Sequence, residues 1–433
     1  MTTKVSQTWK KRRKCTLIAY VIQYATIGFE RSATCVTLWT YLTNLIKTEY
    51  PELFFGLISL VYFLPPIFFS MVVARYADKT RRVKLIILIC NFISMVGCII
   101  YVIPISPYYP LVGQTLLGFN LISKPLTYAE IARSYSADEM KKKIPILMAF
   151  FFVGYSFGPI IGEFFQYANI TVFGLRITIG NISGFISLIL LMFTQVSVVG
   201  LASDLSREFD LKEATARREH HNESYEKETF LFVLKKVMLK FDVFFVMIMT
   251  VLAAFFQVAF ARSFPVIVGL LQFPYYFITI CYISYALTVF GIIFVLTSTE
   301  LKLRTVYISG LASILFVVIS GSFQIILIEA KLNILSNVIF TILLAVCITV
   351  VEIGEQIFLV IVAANLVSSK HQAYVESMRD VLRNVGCILG SLVSGYIVEY
   401  CYSFWLGLTL LCLMQVVILI IRRKTYTKPN III

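Results

Sequence analysis

The chain has 433 residues, of which 59% are hydrophobic and 14% charged, with a mean hydropathy of +0.84, which excludes an ordinary water-soluble globular protein. A formal charge of +14 does not mark a nucleic-acid binder, because the basic residues are strung between apolar stretches rather than gathered on one domain. They read as the topology signals of a protein that lives in a bilayer, and no nucleic-acid partner is expected.

A membrane-spanning helix needs about 20 mostly apolar residues, and twelve such stretches follow one another along the chain. The first, Cys15–Thr43, comes directly after Lys10, Lys11, Arg12, Arg13 and Lys14. It is too long for a signal-peptide core and carries no small-residue cleavage site, so a retained helix is expected. Glu30 and Arg31 lie near its middle. Sequence neighbours point in different directions on a helix and do not simply pair with each other. An ionisable group at membrane depth costs at least about 2.5 kcal/mol and is by default a functional candidate. Glu30 is therefore expected to face a central cavity as a proton-titrating or cation-contacting group; the structural alternative is a buried pair with another helix, Arg262 being one candidate.

The second stretch, Leu53–Ala74, runs into Asp78, Lys79, Arg81 and Arg82, and the third covers Val83–Ile103. The fourth, Tyr109–Ile131, contains Gln114 and is interrupted by Lys124 followed by Pro125. A cation beside a helix break can meet an anionic substrate group or can snorkel to the interface. The fifth, Ile144–Phe165, carries Gly154, Gly158, Pro159 and Gly162. Small residues at a spacing of four let helices approach closely, and Pro159 is expected to bend the span. The same run matches G-x-S-x-G at Ser156, but outside the strand-turn-helix setting of a nucleophile elbow. The histidines, His220, His221 and His371, fall in segments read as cytosolic. With no nucleophile, base and orienter together, no enzyme is expected. Asn169-Ile-Thr171 before the sixth stretch, Ile177–Val199, is an N-glycosylation sequon expected to be usable.

The polar interruption Ser203–Lys240 mixes acids and bases and reads as a solvated cytosolic linker. It divides the stretches six and six. Its own sequon, Asn222-Glu-Ser224, is expected to be silent.

Phe241–Val266 follows, expected to be interrupted where Arg262 stands three residues before Pro265, then Tyr275–Thr297 and Val306–Ile328. Ile334–Leu366 carries Glu352 and Glu355 at i and i+3, which puts both carboxylates on one helix face. In a poorly hydrated place two such acids resist double ionisation, so one holds a proton, as coupling requires. Because that stretch is longer than a bilayer needs, a pair lying toward the cytosolic end and bonded to Arg379 or Arg383 is the alternative. Glu376, Arg379, Asp380 and Arg383 recur at helical spacing around the start of Val381–Tyr400. They read as a cytosolic ion-pair cluster, either opening with a gate or static. Trp405–Ile421 and the basic triplet Arg422, Arg423 and Lys424 close the chain.

Lys and Arg concentrate before the first stretch, after the second and fourth, and at the end, which places both termini in the cytosol. The expected organisation is a basic segment over residues 1–14, a six-helix half over 15–202, a linker over 203–240, a second half over 241–421 and a tail over 422–433. Nine cysteines are scattered without ligand spacing, so no metal site, disulfide framework or cofactor is implied.

Two six-helix halves joined by a cytosolic linker resemble the major facilitator superfamily, and short motifs strengthen the likeness. Ala74-Arg-Tyr-Ala-Asp78-Lys79-Thr-Arg81-Arg82 resembles its G-x-x-x-D-[RK]-x-G-[RK]-[RK] signature with both glycines missing. The resemblance implies that Asp78, with Lys79, Arg81 and Arg82, latches the cytosolic side. The Gly154 to Gly162 run is similar to the superfamily's glycine-proline motif in the same helix. Gln114 stands where many proton-coupled exporters of the superfamily carry Arg, which argues against a drug and proton antiporter. The first stretch, Gly28-Phe-Glu30-Arg31 through Thr37-Leu38-Trp39-Thr-Tyr41-Leu42, resembles the opening of the group around facilitator domain-containing protein 8, the lysosomal membrane protein of neuronal ceroid lipofuscinosis. Arg133-Ser134-Tyr135 and Arg383-Asn384-Val-Gly386 are further echoes. That group implies a lysosomal or other endomembrane solute carrier, with a chloride-conducting activity attributed to it.

These readings converge on an all-α membrane protein that moves a small solute by alternating access. The charges favour an anionic cargo and a coupling proton or ion. Glu30, Glu352 and Glu355 are the coupling candidates, and Lys124, Gln114, Arg262 and Arg31 the substrate-contact candidates. A passive anion channel on the same scaffold and a non-transporting scaffold or receptor are the alternatives. The expected partners are the solute and the lipid bilayer; the sequence names no protein partner.

Overall fold

The computed structural model describes residues 2–135, 137–165, 169–172, 175–205, 207, 240–270, 273–274, 276–298, 303–329, 333–366 and 372–427. Most of the linker, with Asn222, His220 and His221, lies outside them, as does His371.

The described chain is almost wholly helical. It runs α1 (Thr2–Thr40), a π-helical turn (Tyr41–Ile46), α2 (Pro51–Val61), α3 (Leu64–Thr80), α4 (Val83–Tyr101), α5 (Tyr108–Leu117), a 3-10 turn (Gly118–Ile122), α6 (Ser123–Ser134) and α7 (Ala137–Phe164). A hairpin of β1 (Asn169–Val172) and β2 (Leu175–Thr178) leads to α8 (Ile182–Leu201). After the linker come α9 (Phe241–Leu270), α10 (Tyr276–Ser298), α11 (Leu303–Glu329), α12 (Ile334–Leu366), α13 (Gln372–Ser394), α14 (Cys401–Ile421) and the short α15 (Arg423–Thr427).

Among the described residues, seven helical stretches are long and apolar enough to cross a membrane: Pro51–Ser70, Val83–Tyr101, Ile182–Leu201, Phe241–Gly269, Arg304–Glu329, Ile334–Gly354 and Cys401–Ile421. Large apolar side chains such as Phe92 on α4, Val196 on α8 and Leu413 on α14 stand more than half exposed, while Gln23, Asn91 and Asn120 are fully buried. That inversion suits hydrocarbon outside and internally satisfied polar groups within.

Four sequence expectations are corrected. The sixth stretch does not begin as helix at Ile177, because that residue pairs with Ile170 in the antiparallel hairpin. A short apolar run does not distinguish strand from helix, and β-branched Ile170, Thr171, Val172, Ile177 and Thr178 suit the strand. The eleventh helix begins at Gln372 and ends at Ser394, earlier at both ends than expected. Neither Lys124–Pro125 nor Pro265 interrupts its helix: the break in the fourth stretch is the 3-10 turn Gly118–Ile122, with α6 running through Pro125, and α9 continues through Pro265 to Leu270.

Contacts divide the chain into two compact units, one of residues 1–48 and 61–227, the other of 49–60 and 228–433. In the first unit α1 packs along α7 on a glycine seam. A Cβ on Gly28 would lie 1.9 Å from the Phe151 carbonyl oxygen, one on Gly154 1.8 Å from that of Ala25, and one on Gly158 2.0 Å from Ser32 Oγ. In the second unit α13 meets α9 in the same way: a Cβ on Gly386 would fall 2.2 Å from the Val251 oxygen and one on Gly390 2.4 Å from that of Phe255. Helices in lipid gain little from burying apolar surface and associate through such close backbone approach. α2 belongs to the second unit, where a Cβ on Gly56 would meet the Leu392 oxygen at 3.1 Å.

Candidate functional site

The polar interior of the first unit is built on α1. Gln23 and Glu30 are seven residues apart, so they share a face two turns from each other. Both are fully buried, as are Asn91, Asn120 and Ser123. Gln23 and Asn91 exchange two hydrogen bonds: Gln23 Nε2 donates to Asn91 Oδ1 and Asn91 Nδ2 to Gln23 Oε1, each at 2.9 Å. Gln23 Nε2 also donates to Asn120 Oδ1 at 2.5 Å, and Asn120 Nδ2 donates to Glu30 Oε2 at 3.0 Å. Three amides from three elements thus lead to one carboxyl group. Lys124 and Tyr62 also act on that carboxyl.

Lys124 stands in the first turn of α6, directly after the 3-10 turn. Its ammonium lies 3.7 Å from the centre of the Phe151 ring of α7, a cation-π contact. Its backbone oxygen accepts from Tyr24 Oη at 3.1 Å and Thr127 Oγ1 at 2.8 Å. The Arg31 guanidinium lies 5.4 Å from the centre of the Phe63 ring and 6.0 Å from that of Tyr155. Gln114 is buried on α5.

The second unit carries its own acid. Glu352 on α12 is buried. Its Oε2 accepts a short hydrogen bond from the Tyr285 hydroxyl of α10, and its Oε1 lies 3.7 Å from Arg383 Nη2 of α13. Arg383 therefore reaches a carboxylate on another helix. Arg379 is buried, and the Asp380 backbone oxygen accepts from Asn384 Nδ2 at 3.0 Å. Arg262 is buried on α9. The side chains of Asp78, Lys79, Glu355, Glu376 and Asn169, and Gly162, lie outside the described residues. Ser156 sits inside α7 with its hydroxyl bonded to the Phe152 oxygen at 2.7 Å, a helix-internal arrangement with none of the geometry of an exposed nucleophile elbow.

Gln23, Asn91, Asn120, Ser123 and Tyr285 carry no charge and so do not stand out among the ionisable groups of the sequence. The available signal was an uncharged amide inside an apolar run, as in Ile-Cys-Asn91-Phe-Ile and Gly-Phe-Asn120-Leu-Ile. In hydrocarbon such a group needs an internal partner, much as a charge does.

A family model described as Major Facilitator Superfamily matches residues 17–367. The chain belongs to the Major Facilitator Superfamily. Solved structures of the nucleoside transporter NupG resemble it at 15% identity. A point mutant of NupG has a TM-score of 0.64 over 95% of this chain and 100% of that one; NupG itself has 0.63 over 96% and 99%. The inward-open xylose transporter XylE from E. coli aligns at 12% identity and TM-score 0.65 over 92% of this chain and 94% of its own. These likenesses establish the superfamily fold. Comparison with curated proteins finds no match.

The superfamily signature, laid on this chain, places its second glycine at Arg81. Arg81 has φ 54° and closes α3 by donating its N–H to the Ala77 oxygen at 2.7 Å. A left-handed residue is where glycine is cheapest, so the missing motif glycine falls on a position whose backbone still has the conformation glycine favours.

Proposed function

We propose that this superfamily member is a proton-coupled secondary transporter of a small solute, working by alternating access. The observation that carries the reading is Glu30, wholly buried yet held by Asn120 and acted on by Lys124. A carboxyl so placed is costly at membrane depth and is suited to binding and releasing a proton as access changes. Glu352, with Tyr285 and Arg383, is the coupling candidate of the second unit, and Glu355 belongs to the same proposal. Lys124, Gln114, Arg262 and Arg31 are the proposed solute contacts. Asp78, Lys79, Arg81, Arg82, Glu376, Arg379, Asp380 and Arg383 are the proposed cytosolic gate.

Lys124 and Arg262 favour an anion, whereas the structural neighbours carry nucleosides and xylose, so both kinds belong in the test. Purified protein in proteoliposomes, offered anions, amino acids, nucleosides and sugars, is expected to accumulate one class when a proton gradient is applied. The same solute on the far side is expected to accelerate uptake. A passive anion channel gives conductance without that acceleration, and a scaffold or receptor moves none of the solutes.

The proposed topology has twelve spans in two halves with both termini cytosolic, in a lysosomal or other endomembrane as the first-helix likeness to the facilitator domain-containing protein 8 group suggests. It predicts glycan at Asn169 and none at Asn222. Deleting the Asn169 sequon is expected to collapse the glycosylated band on a blot; a band that shifts only on loss of Asn222 would invert the orientation.

A further inference from the structure

With Glu30 Oε2 as an acceptor, the buried amides around it have one mutually consistent orientation. A carboxylate accepts and does not donate, so Asn120 must turn its NH2 group to Glu30 and its oxygen to Gln23. Gln23 must then present its own NH2 group, and the Gln23 oxygen is left to accept from Asn91, as the distances of 3.0, 2.5 and 2.9 Å show. An acceptor at Glu30 Oε2, strongest when the carboxyl is ionised, is therefore written into the orientation of three amides on three elements.

Protonation weakens this arrangement whichever oxygen takes the proton. On Oε2 the new O–H faces the Asn120 NH2 group, donor against donor. On Oε1, buried without a hydrogen-bond partner among the described residues, it leaves Oε2 a neutral acceptor, and a charge-assisted bond is about twice as strong as a neutral one. Asn120 cannot turn over by itself to compensate, because its NH2 group would then face that of Gln23 at 2.5 Å; Gln23 and Asn91 would have to turn with it.

Asn120 also occupies a mechanically distinctive place. It lies in the 3-10 turn Gly118–Ile122, which separates α5 from α6 inside one apolar stretch. A 3-10 segment in mid-helix often marks a hinge. The turn abuts a second irregularity, the Tyr62–Phe63 corner between α2 and α3: a Cβ on Gly118 would lie 2.3 Å from the Tyr62 backbone oxygen and 3.0 Å from Pro65. The charged and titratable groups acting on Glu30 are Lys124 from α6, Tyr62 from that corner and Cys98 from α4, with Arg31 beside it on α1 drawn to the Phe63 and Tyr155 rings.

We propose that Asn120 is a positioning residue for Glu30, and that the 3-10 turn bearing it is the joint through which a change of charge at Glu30 reaches the α5–α6 rod. The proposal rests on the coupled-transport reading above, but its test needs no solute. Hydrogen exchange of the purified full-length protein in lipid nanodiscs is measured at pH 5.5 and 8, after correction for the intrinsic pH dependence of exchange. Residues 118–122 are expected to exchange at least about threefold faster at the lower pH, where the charge-assisted bond is lost.

Glu30→Gln keeps an acceptor for Asn120 but has no charge to lose, so it should abolish the pH difference. Asn120→Ala should give fast exchange at both pH values; Asn120→Ser serves in its place if the alanine variant does not insert. A wild-type turn indifferent to pH overturns the joint. So does a Glu30→Gln turn that keeps the difference, since Lys124, Tyr62 or Cys98 would then be its source. If the pH difference disappears in Glu30→Gln while gradient-driven uptake by that variant stays normal, the joint stands and the coupled-transport reading falls.

Discussion

Gly154→Ala is expected to destabilise the protein by about 3 kcal/mol, the upper end of ordinary overpacking costs, although alanine is the better helix former. The new methyl carbon would lie 1.8 Å from a backbone oxygen of α1, where ordinary contact begins at 3.4 Å. A backbone atom has no rotamer through which to escape, so α1 and α7 must part by well over an ångström and lose contact along the whole seam. Gly200→Ala is the control: its Cβ meets nothing within 4 Å. There the change should be neutral or gain up to about 1 kcal/mol of helix propensity. Thermal unfolding of the two variants in detergent, followed by size-exclusion chromatography, reads the difference. Equal melting temperatures would show that the seam is not the close approach described. Gly390→Ala probes the matching α9–α13 contact in the second unit, with the Phe255 oxygen at 2.4 Å.

Glu30→Gln is expected to lower gradient-driven uptake at least about tenfold, equivalent to some 1.4 kcal/mol of lost driving interaction, and to flatten its pH profile. Glutamine has the shape of protonated glutamic acid and can still accept from Asn120, so the network is retained and insertion is expected to be normal. It cannot alternate between charged and neutral forms. Relief of the burial cost of a charge, about 2.5–3.5 kcal/mol at helix centre by insertion scales, should leave the melting temperature unchanged or higher. Lost activity with retained or increased stability is the signature of a group kept for function. Unchanged uptake and pH profile would remove Glu30 from the mechanism and leave it as a structural member of the amide network.

Glu352→Gln provides a comparison. Its neighbours are Tyr285 and the Arg383 cation, so neutralising it leaves a guanidinium without its carboxylate, and instability can accompany any loss of transport. The two acids thus differ in what surrounds them: an amide donates to Glu30, whereas a phenol and a guanidinium meet Glu352.

Composition and one-dimensional pattern determined much about this protein by themselves. A charge fraction of 14% over 433 residues demands a nonaqueous surround. Apolar runs mark many of the helices because a bilayer imposes one length on every crossing. The run from Gly154 to Gly158 already displayed its close-packing character, since small residues at a spacing of four line one helix face. The hairpin at 169–178 was not legible, because a run too short for its period to show is equally apolar as strand or as helix.

Only the tertiary structure decided which polar groups meet. Gln23 is separated from Asn91 and Asn120 by 68 and 97 positions along the chain, and each alone is an ordinary amide in an apolar stretch. Packing α1 against its neighbours closes them into a network ending on Glu30. The sequence made Glu30 an isolated costly charge, and the fold supplied the donor that lets it remain. The reason is physical: hydropathy is a property of each segment, whereas satisfaction of a buried hydrogen bond belongs to the pairing of segments.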